Sequence, residues 1–129
     1  MKKINTLYVI DDDKIYHFLF SNLLKQNSID VDTLFFPNGL EAIDHIKHMP
    51  DGASLPDLIL LDVNMPIMNG WQFLEEYTKI VPQGTPVTIY MISSSNNEVD
   101  INKARDFGEV VKDYFLKPIC KEDLEKIFT

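Results

Sequence analysis

Five short apolar runs punctuate the chain, and segments with helical periodicity fill the gaps between them. The runs are LYVI (Leu7–Ile10), VDTLFF (Val31–Phe36), LILL (Leu58–Leu61), PVTIYMI (Pro86–Ile92) and YFL (Tyr114–Leu116). Three of them are almost uninterruptedly apolar, the pattern of strands buried on both faces of a parallel sheet. Between them Ile15, Phe18, Leu19 and Leu23 recur at helical spacing. So do Leu40, Ile43 and Ile46, and again Phe73, Leu74, Tyr77 and Ile80. NGLE (Asn38–Glu41), NGWQ (Asn69–Gln72) and SNNE (Ser95–Glu98) each set a capping residue three before a Glu or Gln, a helix start signal. The fourth helix, about Asn97–Phe107, is the least apolar, and GEVVKD (Gly108–Asp113) reads as a loop after it. A short last helix follows KPIC, with Glu122 and Asp123 in its first turn, where the dipole favours acids. The alternation βαβαβαβαβα, with right-handed crossovers, predicts an α/β fold: a doubly wound five-stranded parallel sheet with helices on both faces.

Open sheets of this kind bind ligands beyond the C-terminal ends of their strands. The first run is followed by Asp11 and Asp12, the third by Asp62, the fourth by Ser93 and Ser94, and the fifth by Lys117 and Pro118. Two unit charges ~4 Å apart repel by about 4 kcal/mol at an effective dielectric near ~20. Carboxylates gathered there therefore need a raised pKa or a bound cation. An all-oxygen ligand set with few protein groups suits Mg²⁺, and Lys117 can neutralise part of the charge. Each residue also has a plainer use. An Asp pair after a strand can cap a helix, a lone Asp can start a turn, and SSSNN can be a loop. Their joint placement at the ends of one sheet's strands favours a site.

Composition narrows the setting. A chain of 129 residues with 45% hydrophobic and 25% charged residues is the size and kind of one globular domain. No apolar run approaches the ~20 residues of a membrane span. The N-terminal MKKINTLYVI lacks a signal peptide's apolar length and cleavage site, so a cytoplasmic protein without membrane contact is expected. The single cysteine, Cys120, excludes an intrachain disulfide and fits a reducing compartment. A formal charge of −8, with Arg105 the only arginine, argues against a nucleic-acid partner.

The segments VIDDDK, LILLDVNMPIMNGW, MISSS and FLKP together resemble the receiver domain of two-component response regulators, and the similarity covers essentially the whole chain. The resemblance implies the flavodoxin-like (βα)5 receiver fold. It implies Asp62 as phosphoacceptor, taking a phosphoryl group from a phosphohistidine on a sensor histidine kinase or histidine phosphotransfer protein. It further implies Asp11 and Asp12 as the Mg²⁺-holding pair, with Asp62 and the backbone carbonyl of Asn64 completing the protein ligands. Lys117 would pair with the acceptor and then with a phosphoryl oxygen, and the Lys117–Pro118 peptide would be cis. Ser93 would sense the phosphoryl group and Tyr114 would rotate in response, altering the face made by the fourth helix, fifth strand and fifth helix. Ser95 and Asn64 match positions that tune water access. Asp13, at a variable position, is expected to cap the first helix.

Two departures from the family's pattern stand out: about two extra residues between Gly108 and Tyr114, and the long KHMPDGASLPD before the third strand. His45 and His48 lie three apart but lack a third ligand, and with His17 are expected at the surface. Cys120 is expected to pack or cap, and Trp71 and Phe73 to pack in the third helix. The chain ends one short helix after Lys117, so a stand-alone switch rather than a conventional enzyme is expected, monomeric or weakly dimeric, acting on an unidentified protein target. One rival is a Mg²⁺-dependent phosphatase with an aspartyl nucleophile, which usually has a general-acid Asp where this chain has Asn64. The other is a pseudo-receiver that keeps the fold without phosphorylation.

Overall fold

A computed structural model of the chain describes residues 4–50, 54–94 and 97–128. The elements run β1 (Thr6–Ile10), α1 (Lys14–Gln26), β2 (Asp32–Phe36), α2 (Gly39–Lys47), β3 (Leu58–Asp62), α3 (Gly70–Ile80), β4 (Thr88–Ser93), α4 (Glu98–Asp106), β5 (Val111–Leu116) and α5 (Lys121–Phe128). All strand pairs are parallel, in the order β2-β1-β3-β4-β5. The chain reverses direction across the sheet between β1 and β3, which puts the switch point there.

The three inner strands are the three nearly continuous apolar runs, because each must be apolar on both sides. Alternate residues divide between two cores. Tyr8, Ile10, Ile59, Leu61, Ile89 and Met91 pack with Ala42 and Ile43 of α2, Phe73 and Leu74 of α3, and Ala104 of α4. Leu7, Val9, Leu58, Leu60, Tyr90 and Ile92 pack with Phe20 and Leu24 of α1 and Leu124 and Ile127 of α5. At ~1.5–3 kcal/mol per fully buried large side chain, these two layers hold the sheet in place.

The structure corrects the expected apolar stripe of α1. Ile15, Phe18 and Leu19 are 71%, 66% and 58% exposed, while Phe20 and Leu24 are buried and Tyr16 and Leu23 pack partly against them. Both stripes have helical spacing, and periodicity cannot choose between them. Packing of Phe20 and Leu24 against the sheet makes the choice, while Asp13 marks where α1 starts by accepting from the backbone N–H groups of Ile15 and Tyr16.

Residues 108–113 are likewise not all loop. β5 begins at Val111, and the register slips as Ile89 pairs with Val111 but Tyr90 with Asp113. Lys112 is thus taken up as a bulge, which absorbs part of the extra length before Tyr114. The cap read at Ser95 lies outside the described residues. Asn97 caps α4 instead, accepting from the Val99 N–H at 2.7 Å. Asn38 caps α2, and Asn69 and Gln72 form a full capping box on α3, as expected. The segment 47–57 includes residues 51–53, which also lie outside the described residues. No helix among the described residues is long and apolar enough to cross a membrane.

Candidate functional site

The pairing of β1 with β3 sets Ile10 beside Leu61, so the next residues, Asp11 and Asp62, emerge side by side at the same sheet edge. Asp11 is fixed further by its N–H donating to the Phe36 carbonyl at 2.9 Å. One carboxylate oxygen each from Asp11, Asp12 and Asp62 lie within 4.8 Å of one another. Lys117 enters from the end of β5. Its backbone N–H donates to the Ser93 carbonyl at 2.8 Å, and the Lys117–Pro118 peptide is cis. The Lys117 Nζ lies 2.6 Å from Asp11 Oδ2 and 3.6 Å from Asp62 Oδ1. Ser93 is fully buried at the end of β4. Asp11, Asp12, Asp62 and Lys117 therefore converge on one pocket, with Ser93 joined to Lys117 through its backbone carbonyl.

Burial, followed by the neighbouring charge of Asp11, pushes the Asp62 pKa up to about 7, against the lowering effect of Lys117. Burial alone would lower the Lys117 pKa, but pairing with Asp11 and Asp62 more than offsets it and the net direction is up. The ammonium compensates one of three carboxylates, leaving a deficit that one divalent cation would fill. Asp11 Oδ1 accepts the Asp13 N–H at 2.9 Å. Asp11 Oδ2 is buried against the Lys117 ammonium at 2.6 Å. Three carboxylates gathered from the ends of β1 and β3, with one ammonium among them, fit a hard oxygen-seeking ion.

The run of three aspartates now divides by task. Asp11 and Asp12 face the pocket, and Asp13 ends the loop as the cap of α1. Asn64 is exposed in the loop after Asp62. The Ser93 side chain is hydrogen-bonded to the Tyr114 hydroxyl, whose pKa burial nevertheless raises. Trp71 and Phe73 are core residues of α3, as expected.

Three contributors were not legible beforehand. His17, expected at the surface, is half-buried: its Nε2 lies 2.7 Å from the Asp11 carbonyl and its ring 4.7 Å from that of Phe35. A carbonyl only accepts, so Nε2 carries the proton. Gly70 brings its backbone against Asp62: a Cβ there would lie 2.5 Å from the Asp62 carbonyl oxygen. Tyr16 places its ring under Lys117, with Nζ 4.5 Å from the centroid. Its place one helical turn before the buried Phe20 was the available signal. His45 contacts the Tyr8 and Phe36 rings and His48 Nδ1 meets the Asp44 carbonyl, so each has its own neighbours. Cys120 is exposed rather than packed. Its N–H and thiol both meet the Asp123 carboxylate at the start of α5.

The profile of the response regulator receiver domain matches residues 7–129. Among curated proteins, the Regulator of RpoS from Escherichia coli is 29% identical over 94% of this chain. The match covers 32% of that relative, so the chain spans about a third of its length. Among solved structures, a two-component response regulator from Cytophaga hutchinsonii superimposes with a TM-score of 0.86 at 26% identity, covering 98% of this chain and 96% of the other. The Mn²⁺-bound form of response regulator Rcp1 gives 0.74 at 25% identity, covering 96% and 88%. With its five-stranded sheet, its acidic pocket and a profile match over nearly its whole length, the chain belongs to the response regulator receiver domain family of two-component signalling.

Proposed function

We propose that this receiver domain is a phosphoryl-accepting switch of a cytoplasmic two-component relay and that Asp62 accepts the group from a partner's phosphohistidine. The observation that carries this reading is the gathering of Asp11, Asp12 and Asp62 within 4.8 Å, with Lys117 paired to two of them. Asp11, Asp12, Asp62 and the Asn64 carbonyl would hold a Mg²⁺ ion, whose positive charge would offset that of the transferring oxygens. The metal-bound state of Rcp1 supports a divalent ion in this fold.

An ionised Asp62 oxygen attacks phosphorus, the P–N bond to the donor imidazole breaks, and its electron pair leaves on the imidazole nitrogen. The product is an acyl phosphate on Asp62. Positioning and charge dominate such transfers. Lys117 gives up part of its pairing with the carboxylates for a phosphoryl oxygen, and the Ser93 hydroxyl donates to another. Exposed Ile15, Phe18 and Leu19 on α1 offer the donor protein an apolar surface on the helix that follows Asp11 and Asp12.

The signal leaves through Ser93 and Tyr114. Tyr114 hydrogen-bonds Ser93 at one end and lines a groove of about 520 Å³ between α4 and β5, with Ile101, Ala104, Arg105 and Leu116. Withdrawing Ser93 toward a phosphoryl oxygen redirects Tyr114 and reshapes the groove for a protein target. Asn64 cannot act as a general acid, which disfavours the phosphatase reading. Incubation with a small acyl phosphate tests the proposal: uptake should require Mg²⁺, be stoichiometric and vanish in Asp62→Asn. Labelling that persists in that variant would name the wrong acceptor, and turnover of a phosphomonoester would favour a phosphatase.

A further inference from the structure

We propose that Tyr16 is a positioning residue for phosphoryl transfer, holding the Lys117 ammonium on the face of its ring so that the ammonium stays free to exchange a carboxylate for a phosphoryl oxygen. The proposal rests on Asp62 being the acceptor. Lys117 Nζ stands 4.5 Å from the Tyr16 ring centroid while also pairing with Asp11 and Asp62. An aromatic face attracts a cation without taking its proton or competing for its N–H directions, and the attraction grows where water is excluded. The Lys117 side chain is 19% exposed, so the ring holds a mostly desolvated charge.

The ring itself is held from two sides. Asp13 accepts the Tyr16 backbone N–H at 3.2 Å, and the ring stacks on Phe20 at 5.9 Å, one turn further along α1. Phe20 is buried in the core between α1 and the sheet. A continuous path of contacts thus runs from the core through Phe20 and Tyr16 to Lys117. The Tyr16 hydroxyl takes no part in it: it is buried without a hydrogen-bond partner among the described residues. Without the ring, Lys117 retains the 2.6 Å contact with Asp11 but loses the surface that keeps it near Asp62. The π face, not the hydroxyl, is the working part.

The test compares Tyr16→Leu and Tyr16→Phe in the full chain. With a small acyl-phosphate donor and saturating Mg²⁺, Tyr16→Leu should lower the phosphorylation rate about five- to tenfold. Its calorimetric affinity for Mg²⁺ should stay within about twofold of the parent, and Tyr16→Phe should restore the rate. The Lys117 Hε protons should show an upfield ring-current shift by NMR in the parent and Tyr16→Phe, and lose it in Tyr16→Leu. A Tyr16→Leu rate equal to the parent's, an equal loss in both variants, or an Hε shift indifferent to the ring would each overturn the proposal. A parent protein that takes up no phosphoryl group at all would refute the acceptor reading instead, and the proposal with it. That failure is visible before any Tyr16 variant is compared.

Discussion

Lys117 Nζ sits 2.6 Å from Asp11 Oδ2 but 3.6 Å from Asp62 Oδ1, so the ammonium is held chiefly by the carboxylate after β1 and only loosely by the one ending β3. Removing it leaves a cluster of buried like charges. Lys117→Ala should destabilise the metal-free protein by roughly 3 kcal/mol, with much of the loss recovered in millimolar Mg²⁺ as the ion replaces the missing charge. Urea unfolding with and without Mg²⁺ measures this. Equal losses in both conditions would mean that the pocket does not bind the ion.

Asp62 has its pKa raised from 3.8 to about 7 in the folded chain. Between those values the native state binds more protons at this site than the unfolded state does, so its contribution to stability falls as pH rises through the window. Asp62→Asn removes that slope. At pH 8 without metal, the variant should be more stable than the parent by on the order of 2–4 kcal/mol, an advantage that fades below about pH 4. Denaturation across pH 4–8 provides the check, and parallel stability curves for the two proteins would contradict the raised pKa.

Gly70 meets Asp62 backbone to backbone. The Cβ of Gly70→Ala would lie 2.5 Å from the Asp62 carbonyl oxygen and 3.1 Å from Val63 Cα, and neither backbone atom can swing aside. The substitution should cost about 2–3 kcal/mol and slow phosphorylation further, by moving the acceptor. A variant with unchanged stability would show that the α3 start is looser than this packing requires.

Ile67 adopts φ +69° at 75% exposure, a left-handed conformation that a β-branched residue disfavours. Ile67→Asn, which tolerates that region and loses little burial, should raise stability by about 1 kcal/mol. Thermal unfolding reads the gain. A loss instead would mean that the Ile67 side chain makes contacts that outweigh its backbone conformation.

Phe18 is 66% exposed on α1. Phe18→Ser should change stability by less than about 0.5 kcal/mol, leave uptake from a small acyl phosphate intact, and slow transfer from a phosphorylated partner protein. Comparing the two donors isolates docking from chemistry. Equal rates from the protein donor would remove this face from the interface.

The order of strands and helices and the charged groups of the pocket could be read from the chain alone, though the start of β5 at Val111 could not. Continuous apolar runs mark inner strands because both faces of β1, β3 and β4 are covered. Asp11, Asp12, Asp62, Ser93 and Lys117 stand out because each follows or ends such a run. The caps at Asn38 and Asn69 were local as well, since a cap and the N–H it accepts are only three residues apart. Features that depend on phase and distance took shape only in the folded chain. Periodicity gives the spacing of an apolar stripe but not which way it points. Only docking against the sheet turned Phe20 and Leu24 inward and left Ile15, Phe18 and Leu19 in solvent. The bulge at Lys112 and the Tyr16 ring under Lys117 likewise arise between segments remote in the chain. No local pattern encodes them, because the partner that makes each contact exists only once the sheet has assembled.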